Sequence, residues 1–399
     1  ALPNLDSAGL VAITNGEASV HNGQANYKIN IDAPPVINNL KPNIALNYTS
    51  SNKSGLLGVG WSITGLSTIY RCHKNFANEG TQATVANPHF TKADRLCLDG
   101  KKLELVAATA AETVSDNDYW APNAEYRTEI DTFNKIVAQG SSQEGGPASF
   151  IVYRKNGEIA HYGAQANSQS SRILVNAGPK NGVVRIWALD HVEDRYHNYY
   201  DVYYAQNTSE GEYHPSHIYW SNQSSLVFKY DLRDTQLGTY RPDIPSSFDA
   251  GAQFKTTYLL RDINTYIHAQ PSSPDAGTAV KKYHIGYKRS VQTERYLIDT
   301  IQECGTAAST EECAKPLAFS WQQGDMGFST TPLSLVTCSS GIKLDQFSIS
   351  SDINNDGYVD LLYYDIPADR FKPDARRPWS YALGTASGCF SEPVSPSSV

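Results

Sequence analysis

The chain has 399 residues, a formal net charge of −8, 25 Tyr, 12 Phe and a single Met. At about 150 residues per domain this length suits two or three domains. The acidic balance, with no Lys/Arg patch to offset phosphate repulsion, argues against a nucleic-acid partner. Mean hydropathy is −0.43, and no apolar run approaches the ~18 residues of a membrane-spanning helix. Abundant Tyr, Thr, Val and Ile favour strands over helices. No signal peptide is visible, and Ala1 suits the residue after a cleavage site.

Short strands separated by turn clusters are expected from the start. Ala25-Asn-Tyr27-Lys-Ile29-Asn-Ile31 alternates apolar and polar residues and stops at Pro34-Pro35, which interrupts a ladder. Ile44-Ala-Leu46-Asn-Tyr48 repeats the pattern. In Ser54-Gly-Leu-Leu-Gly-Val-Gly-Trp-Ser-Ile-Thr-Gly65 the spacing of Gly58, Gly60 and Gly65 does not make a dinucleotide loop, since no helix follows. Gly60-Trp-Ser62-Ile-Thr-Gly65 is one residue too long for a nucleophile elbow. Tight turns and close sheet packing around Trp61 are expected there. Leu66 to Tyr70 is the next strand candidate. The best helical stretch, Leu103 to Val114, is Ala-rich and short. Asp116 and Asp118, in an expected loop, have minor weight as cation ligands.

Further strands are expected at Phe150 to Tyr153, Ile186 to Leu189, Tyr199 to Tyr204, Leu226 to Tyr230 and Tyr283 to Tyr287. Residues 140–147 and 270–277 read as loops rich in Gly, Pro and Ser. Asp190, Glu193 and Asp194 flank His191, which fits a solvated acidic turn better than a site. His214-Pro-Ser-His217 sets two imidazoles three residues apart, but Pro215 prevents the helix of a zinc motif, so surface or core histidines are expected. Cys72, Cys97, Cys304, Cys313, Cys338 and Cys389 contain no C-x-x-C pair, which favours disulfides over zinc or a redox dithiol. Of the possible pairings, sequence-near ones are expected: Cys72–Cys97, Cys304–Cys313 and Cys338–Cys389. Six reduced, buried thiols in a cytosolic protein are the alternative.

Near the C-terminus, Asp352-Ile-Asn-Asn-Asp-Gly-Tyr-Val-Asp360 places oxygen side chains on alternate residues with Gly357 at the bend. That is the arrangement a hard cation such as Ca²⁺ requires. Asp352, Asn354 and Asp356, the Tyr358 carbonyl and Asp360 are the expected ligands. A helical calcium loop carries Glu at position twelve, where Tyr363 stands here, and the flanks Phe347 to Ile349 and Val359 to Tyr364 read as strands. The alternative is an Asp/Asn/Gly turn with no metal. The loop resembles the calcium loops of FG-GAP or VCBS-type β-propeller repeats. Trp379 to Gly384 fits as a following strand, with Gly388-Cys389-Phe390 closing the unit. A propeller needs about four to eight blades, so one such unit implies a longer natural product or a partner that supplies the rest. Structural calcium and disulfides together place the folded protein outside the cytoplasm.

Over nearly its whole length the chain resembles the SpvB-like N-terminal region of bacterial secreted toxins, found in the Salmonella virulence-plasmid B protein and in the B component of insecticidal Tc toxin complexes. The resemblance rests on an ordered set. Tyr27-Lys-Ile-Asn-Ile31 with Pro34-Pro35, Leu46-Asn-Tyr48, Gly55 to Gly65 and Tyr70-Arg-Cys72 open it. Asp94-Arg-Leu-Cys-Leu-Asp-Gly100, Tyr126-Arg-Thr-Glu129, Asn156-Gly157 with Tyr162-Gly163, Tyr283-His-Ile-Gly-Tyr287 and Ile301-Gln-Glu-Cys304 follow.

The resemblance implies an all-β protein: large multi-stranded sheets of the Rhs-shell kind over residues 1–320, then one FG-GAP/VCBS-like propeller blade over residues 321–399. In Tc B components this region helps form a hollow shell around a toxic C-terminal segment, and a neighbouring propeller docks on the translocation channel. YD repeats that complete such a shell are absent from these residues. A non-catalytic, calcium-stabilised scaffold of a secreted or surface-exposed toxin-like assembly is therefore expected, with other domains or subunits as partners. A surface adhesion module binding glycans or a host receptor through exposed aromatics is the alternative. The Salmonella relative also carries an ADP-ribosyltransferase; its paired acids stand two residues apart, a spacing that Glu210-Gly-Glu212 and Gln292-Thr-Glu294 match. In that family the transferase lies beyond the region present here, so no catalysis is expected.

Overall fold

The computed structural model describes residues 16–75, 88–106, 115–141, 146–164, 171–231, 241–307, 310–322, 348–364, 379–387, 389–391 and 394. The chain divides into two compact units, Ala1–Gln323 and Gly324–Val399.

In the first unit, β1 (Glu17–His21), β2 (Gln24–Asn30) and β3 (Ala45–Thr49) form an antiparallel sheet. A two-residue ladder, β4 (Ser54–Gly55) with β5 (Gly58–Val59), precedes β6 (Trp61–Thr64), which completes that sheet on β3. The period-two pattern works as expected: Ile29 faces Leu46, and both are fully buried. Trp61 is 3% exposed, with the Tyr48 ring 5.6 Å and the Phe319 ring 5.2 Å away. Glycine is required at Gly58 (φ +72), where an added Cβ would lie 2.3 Å from the Tyr296 carbonyl oxygen, and at Gly65 (φ +100), where it would lie 2.2 Å from that of Asn43. These glycines serve close backbone packing.

Next come β7 (Thr68–Cys72), β8 (Arg95–Leu98), β9 (Lys101–Leu105), β10 (Glu125–Thr128), β11 (Lys135–Gln139), β12 (Ser149–Tyr153) and β13 (Ile159–Tyr162). After β14 (Arg172–Leu174), the long β15 (Val184–Glu193) pairs with β13 through Leu189 to Glu193 and with β7 through Ile186 to Ala188. Those two pairings close β7 to β13 and β15 into a barrel. A barrel of about eight strands has room only for side chains inside. Here Tyr126, Ile136, Phe150, Val152, Tyr162 and Trp187 are all at most 1% exposed. A one-turn helix, α1 (Asp116–Tyr119), adds Tyr119, whose hydroxyl donates to the Leu103 carbonyl at 2.8 Å and accepts from Leu96 N at 2.9 Å. The Cys72–Cys97 disulfide ties β7 to β8.

Opposite β13, the C-terminal half of β15 starts a second sheet. His191 to Glu193 pair with β16 (Tyr199–Asn207), followed by β17 (Glu212–Trp220) and β18 (Ser224–Asp231). A hairpin of β19 (Ser246–Asp249) and β20 (Ala252–Lys255) interrupts the order before β21 (Leu259–Ile267), β22 (Thr278–Arg289) and β23 (Tyr296–Ala307). Both β24 (Thr310–Cys313) and β25 (Leu317–Ala318) pair with β23, and Cys304–Cys313 bridges β23 and β24. So β15 is the fork: its first half pairs with β7 in the barrel and with β14, and its second half pairs with β13 in the barrel and with β16 in the sheet. Its ten residues are long enough for both tasks.

In the second unit, β26 (Ser348–Ser351), β27 (Asp360–Tyr364) and β28 (Trp379–Ala382) form an antiparallel meander, and the isolated bridges Tyr381–Val394 and Gly384–Phe390 add a fourth edge. A propeller is not described. The all-β expectation holds for the described residues. Only Leu103 to Val106 of the Ala-rich stretch is described, with Leu103 to Leu105 in β9. Cys338 lies outside the described residues, so the Cys338–Cys389 pairing is not described. No described helix is long and apolar enough to cross a membrane.

Candidate functional site

The eight residues from Asp352 to Val359 join β26 to β27, whose register pairs Ser351 directly with Asp360. The loop reverses through Asn355 (φ 60) and Gly357 (φ 86), the left-handed conformation that Asn and Gly tolerate best. Asp352 Oδ1 accepts from Asp356 N at 3.1 Å and its Oδ2 from Gly357 N at 2.9 Å. Asn354 Oδ1 accepts from Asp356 N at 3.2 Å, and Asp356 Oδ1 from Tyr358 N at 2.9 Å. These are the self-bonding turns that Asp and Asn favour. Asp352, Asn354, Asp356 and Tyr358 remain exposed, whereas Asp360 is fully buried. Asp360 Oδ1 accepts from Gly384 N and Oδ2 from Ile353 N, both at 2.7 Å. The Gly384 N–H, against a desolvation that works the other way, leads the Ile353 and Asn354 N–H groups in holding this carboxyl below the usual range.

The donor set is all oxygen, which fits Ca²⁺. Among the described residues no Lys or Arg pairs with Asp352, Asp356 or Asp360. The three carboxylates are turned to backbone N–H groups, with Asp356 Oδ2 also accepting from Asn354 Nδ2 at 2.7 Å, and do not converge within 4.8 Å; among the described residues the one set of three His, Cys, Asp or Glu ligand atoms that does so is His284, Cys304 and Glu311.

The remaining sequence candidates are closed by the protein itself. Asp116, in α1 rather than a loop, pairs with Lys74 and Arg95, both at 3.0 Å. Against desolvation, these two cations hold its carboxyl low. Asp118 accepts from Ser115 Oγ at 2.5 Å at the helix start. Asp190 is buried rather than solvated and accepts from Ala164 N and Ser171 Oγ, both at 2.5 Å. Asp194 does lie in the turn after β15; against partial desolvation, Asn198, Asn38 and the Tyr196 N–H bring it down to about 2. His191 Nδ1 lies 2.7 Å from Asp201, whose hydrogen bond raises the imidazole pKa.

His214 and His217 sit on β17, 5% and 4% exposed. Burial lowers each to about 4. The His214 ring lies 4.3 Å from that of Tyr230, and His217 stacks on Tyr203 at 4.3 Å. They are core histidines. Of the transferase-like pairs, Glu212 spends its carboxylate on Thr257 N at 2.9 Å, Thr257 Oγ1 at 2.5 Å and Tyr258 N at 3.2 Å. Glu210 pairs with Lys255 at 2.5 Å, and Glu294 with Arg289 at 3.3 Å. Neither pair presents two free carboxylates to a cleft. Sequence reading missed Asp262, His284 and Glu311 around the Cys304–Cys313 bridge. The available signal was period two, which puts His284, Cys304, Glu311 and Cys313 on one sheet face.

A closed barrel that shares one strand with a broad antiparallel sheet, followed by a separate small meander, defines an all-β structural class with no assembled catalytic constellation among the described residues. The sequence matches the family "Salmonella virulence plasmid 65kDa B protein" over residues 19–260, and the chain belongs to that family. Among solved structures, the fold is similar to that in a TcdB2-TccC3 crystal structure, at TM-score 0.67 and 16% identity over 98% of this chain and 20% of that one. It is similar to the Photorhabdus luminescens Tc holotoxin pore at TM-score 0.68 and 17% identity, again over 98% and 20%. The N-terminal domain of effector protein SpvB from Salmonella typhimurium strain LT2 matches 70% of this chain and 99% of its own, at TM-score 0.51 and 16% identity. This chain thus spans about one fifth of the toxin-complex chains it matches. No curated protein sequence matches it.

Proposed function

We propose that this chain is a non-catalytic scaffold module of a secreted, toxin-like assembly, contributing sheet to a shell and a docking surface to neighbouring domains or subunits. The observation that carries this reading is the likeness of 98% of the chain to one fifth of a TcdB2-TccC3 chain. The buried candidate acids support it, because their carboxylates hold strands together and are not directed at a substrate. We assign residues 1–320 to the SpvB-like region and 321–399 to a unit of FG-GAP/VCBS kind. The β26–β28 meander with its bridged fourth edge supports a blade.

Asp352, Asn354, Asp356, the Tyr358 carbonyl and Asp360 would hold Ca²⁺ in that second unit. The ion supplies the positive charge that the surrounding described side chains lack, pinning the turn between β26 and β27. Asp360 anchors the loop to the strand beyond it through Gly384 N. Placing this chain in the matching fifth of TcdB2 tests the scaffold role. A chimera that still copurifies with TccC3 is expected; a folded chimera that releases it would sink the proposal. Unchanged NAD after long incubation with acceptor proteins is expected as well, and its consumption would reopen the transferase reading.

A further inference from the structure

On the outer edge of the second sheet of the first unit, four potential metal donors meet on one face. His284 comes from β22, Cys304 from β23, and Glu311 and Cys313 from β24. One ligand atom from each of His284, Cys304 and Glu311 lies within 4.8 Å of the others. His284 Nε2 is 3.2 Å from Glu311 Oε1, and Cys313 Sγ is 3.7 Å from the same oxygen. Cys304 and Cys313 are directly opposed in the strand register and joined as a disulfide. While that bond stands, neither sulfur is a thiolate, and the cluster consists of the His284 contacts with Asp262 and Glu311 and the Lys282–Glu311 ion pair at 3.7 Å. Behind it, Asp262 Oδ1 lies 2.5 Å from His284 Nδ1. A carboxylate on the far ring nitrogen is the arrangement that orients a metal-ligating histidine and leaves Nε2 as the ligand atom.

We infer that reduction of Cys304–Cys313 converts this edge into a binding site for Zn²⁺, with two thiolates, His284 Nε2 and a Glu311 oxygen as ligands. A dithiol reductant supplies the two electrons and two protons: the Cys304–Cys313 bond breaks, the reductant becomes its own disulfide, and two thiols form. Binding then replaces both thiol protons, and any proton on Nε2, with the metal; these leave to solvent. Two sulfurs, one nitrogen and one oxygen make a four-coordinate set suited to a borderline-soft, tetrahedral ion. Cys304 is buried and Cys313 exposed, so reductant reaches the bond from the solvent side. The site thereby distinguishes oxidising from reducing surroundings, holding β23 to β24 by a covalent bond in one and by a metal in the other.

The test titrates Co²⁺, then Zn²⁺, into the full chain under anaerobic conditions, before and after phosphine reduction. Peptide mapping verifies which disulfides have opened. Expected is one Co²⁺ per reduced chain with thiolate charge-transfer absorption, lost on adding Zn²⁺ and absent from the oxidised chain. Cys304→Ser/Cys313→Ser removes the band. Asp262→Asn, which keeps the bridge for folding, weakens Zn²⁺ binding after reduction by about 10- to 100-fold. Folded, reduced protein without the band overturns the inference. So does a band that survives undiminished in Asp262→Asn and His284→Ala, since that would be binding by thiols alone. Calcium ligated only by oxygen gives no such absorption, so this result is independent of the Asp352–Asp360 loop.

Discussion

Two acid-rich turns of this molecule look alike in sequence and are treated differently by the fold. Asp190 to Asp194, at the end of β15, is closed by protein donors: Ser171 and Ala164 reach Asp190, while Asn198, Asn38 and Tyr196 reach Asp194. Asp352 to Asp360 is met mainly by backbone N–H groups, most of them from the loop itself, with the Asn354 Nδ2 amide as the one side-chain donor among the described residues. Acidic density therefore does not mark a cation site. On the proposed reading, the cue is acidic density at which the tertiary structure delivers no Lys or Arg and few side-chain donors, leaving an ion to supply the positive charge.

The largest effect that sharpens this comparison is set by histidine. His214 and His217, at about 4 each when folded, sit below the ordinary 6.5. A depressed histidine contributes stability that is full above pH 6.5 and is lost as pH falls toward 4, because the unfolded chain takes up the protons. Each shift corresponds to about 3 kcal/mol. Urea midpoints should drop steeply between pH 6.5 and 4 while Asp194 stays charged; a flat profile would break the claim that acid lability in the first unit comes from core histidines.

Next in size, Glu212→Ala strands the Thr257 and Tyr258 N–H groups and should cost about 3 kcal/mol or more, with no dependence on calcium. Calcium at a hundredfold excess over its Kd should stabilise the second unit by about 2.7 kcal/mol, seen as protease resistance around Asp352. Asp356→Ala should abolish that response. If chelator changes neither wild-type resistance nor melting, the two turns differ only in their hydrogen bonds. Smallest is Asp118→Ala: an exposed helix-start carboxylate should cost about 0.5 kcal/mol or less and leave calcium behaviour untouched.

Much was legible in the residues alone. Alternation located β2 and β3, since a strand buried on one face must repeat every two residues, and β-branched and aromatic runs located β12, the start of β16 and the middles of β15, β18 and β22. Sequence-near pairing anticipated Cys72–Cys97 and Cys304–Cys313, each joining neighbouring antiparallel strands. The order of oxygens from Asp352 to Asp360 is likewise a local property, as are the turns at Asn355 and Gly357. Strand ends were read short, because β15 and β22 extend along neighbours whose presence no local pattern announces.

Only the tertiary structure decided how β15 shares its edges, closing the barrel between β13 and β7 and starting a sheet with β16 opposite β13. It also decided which acids are satisfied, since Asn38, Lys74 and Thr257 come from far along the chain to Asp194, Asp116 and Glu212. Sequence spacing records what backbone geometry enforces over a few residues. Charge neutralisation and burial depend on groups brought together across 42 to 156 residues, so which acids are closed by the protein was decided by packing.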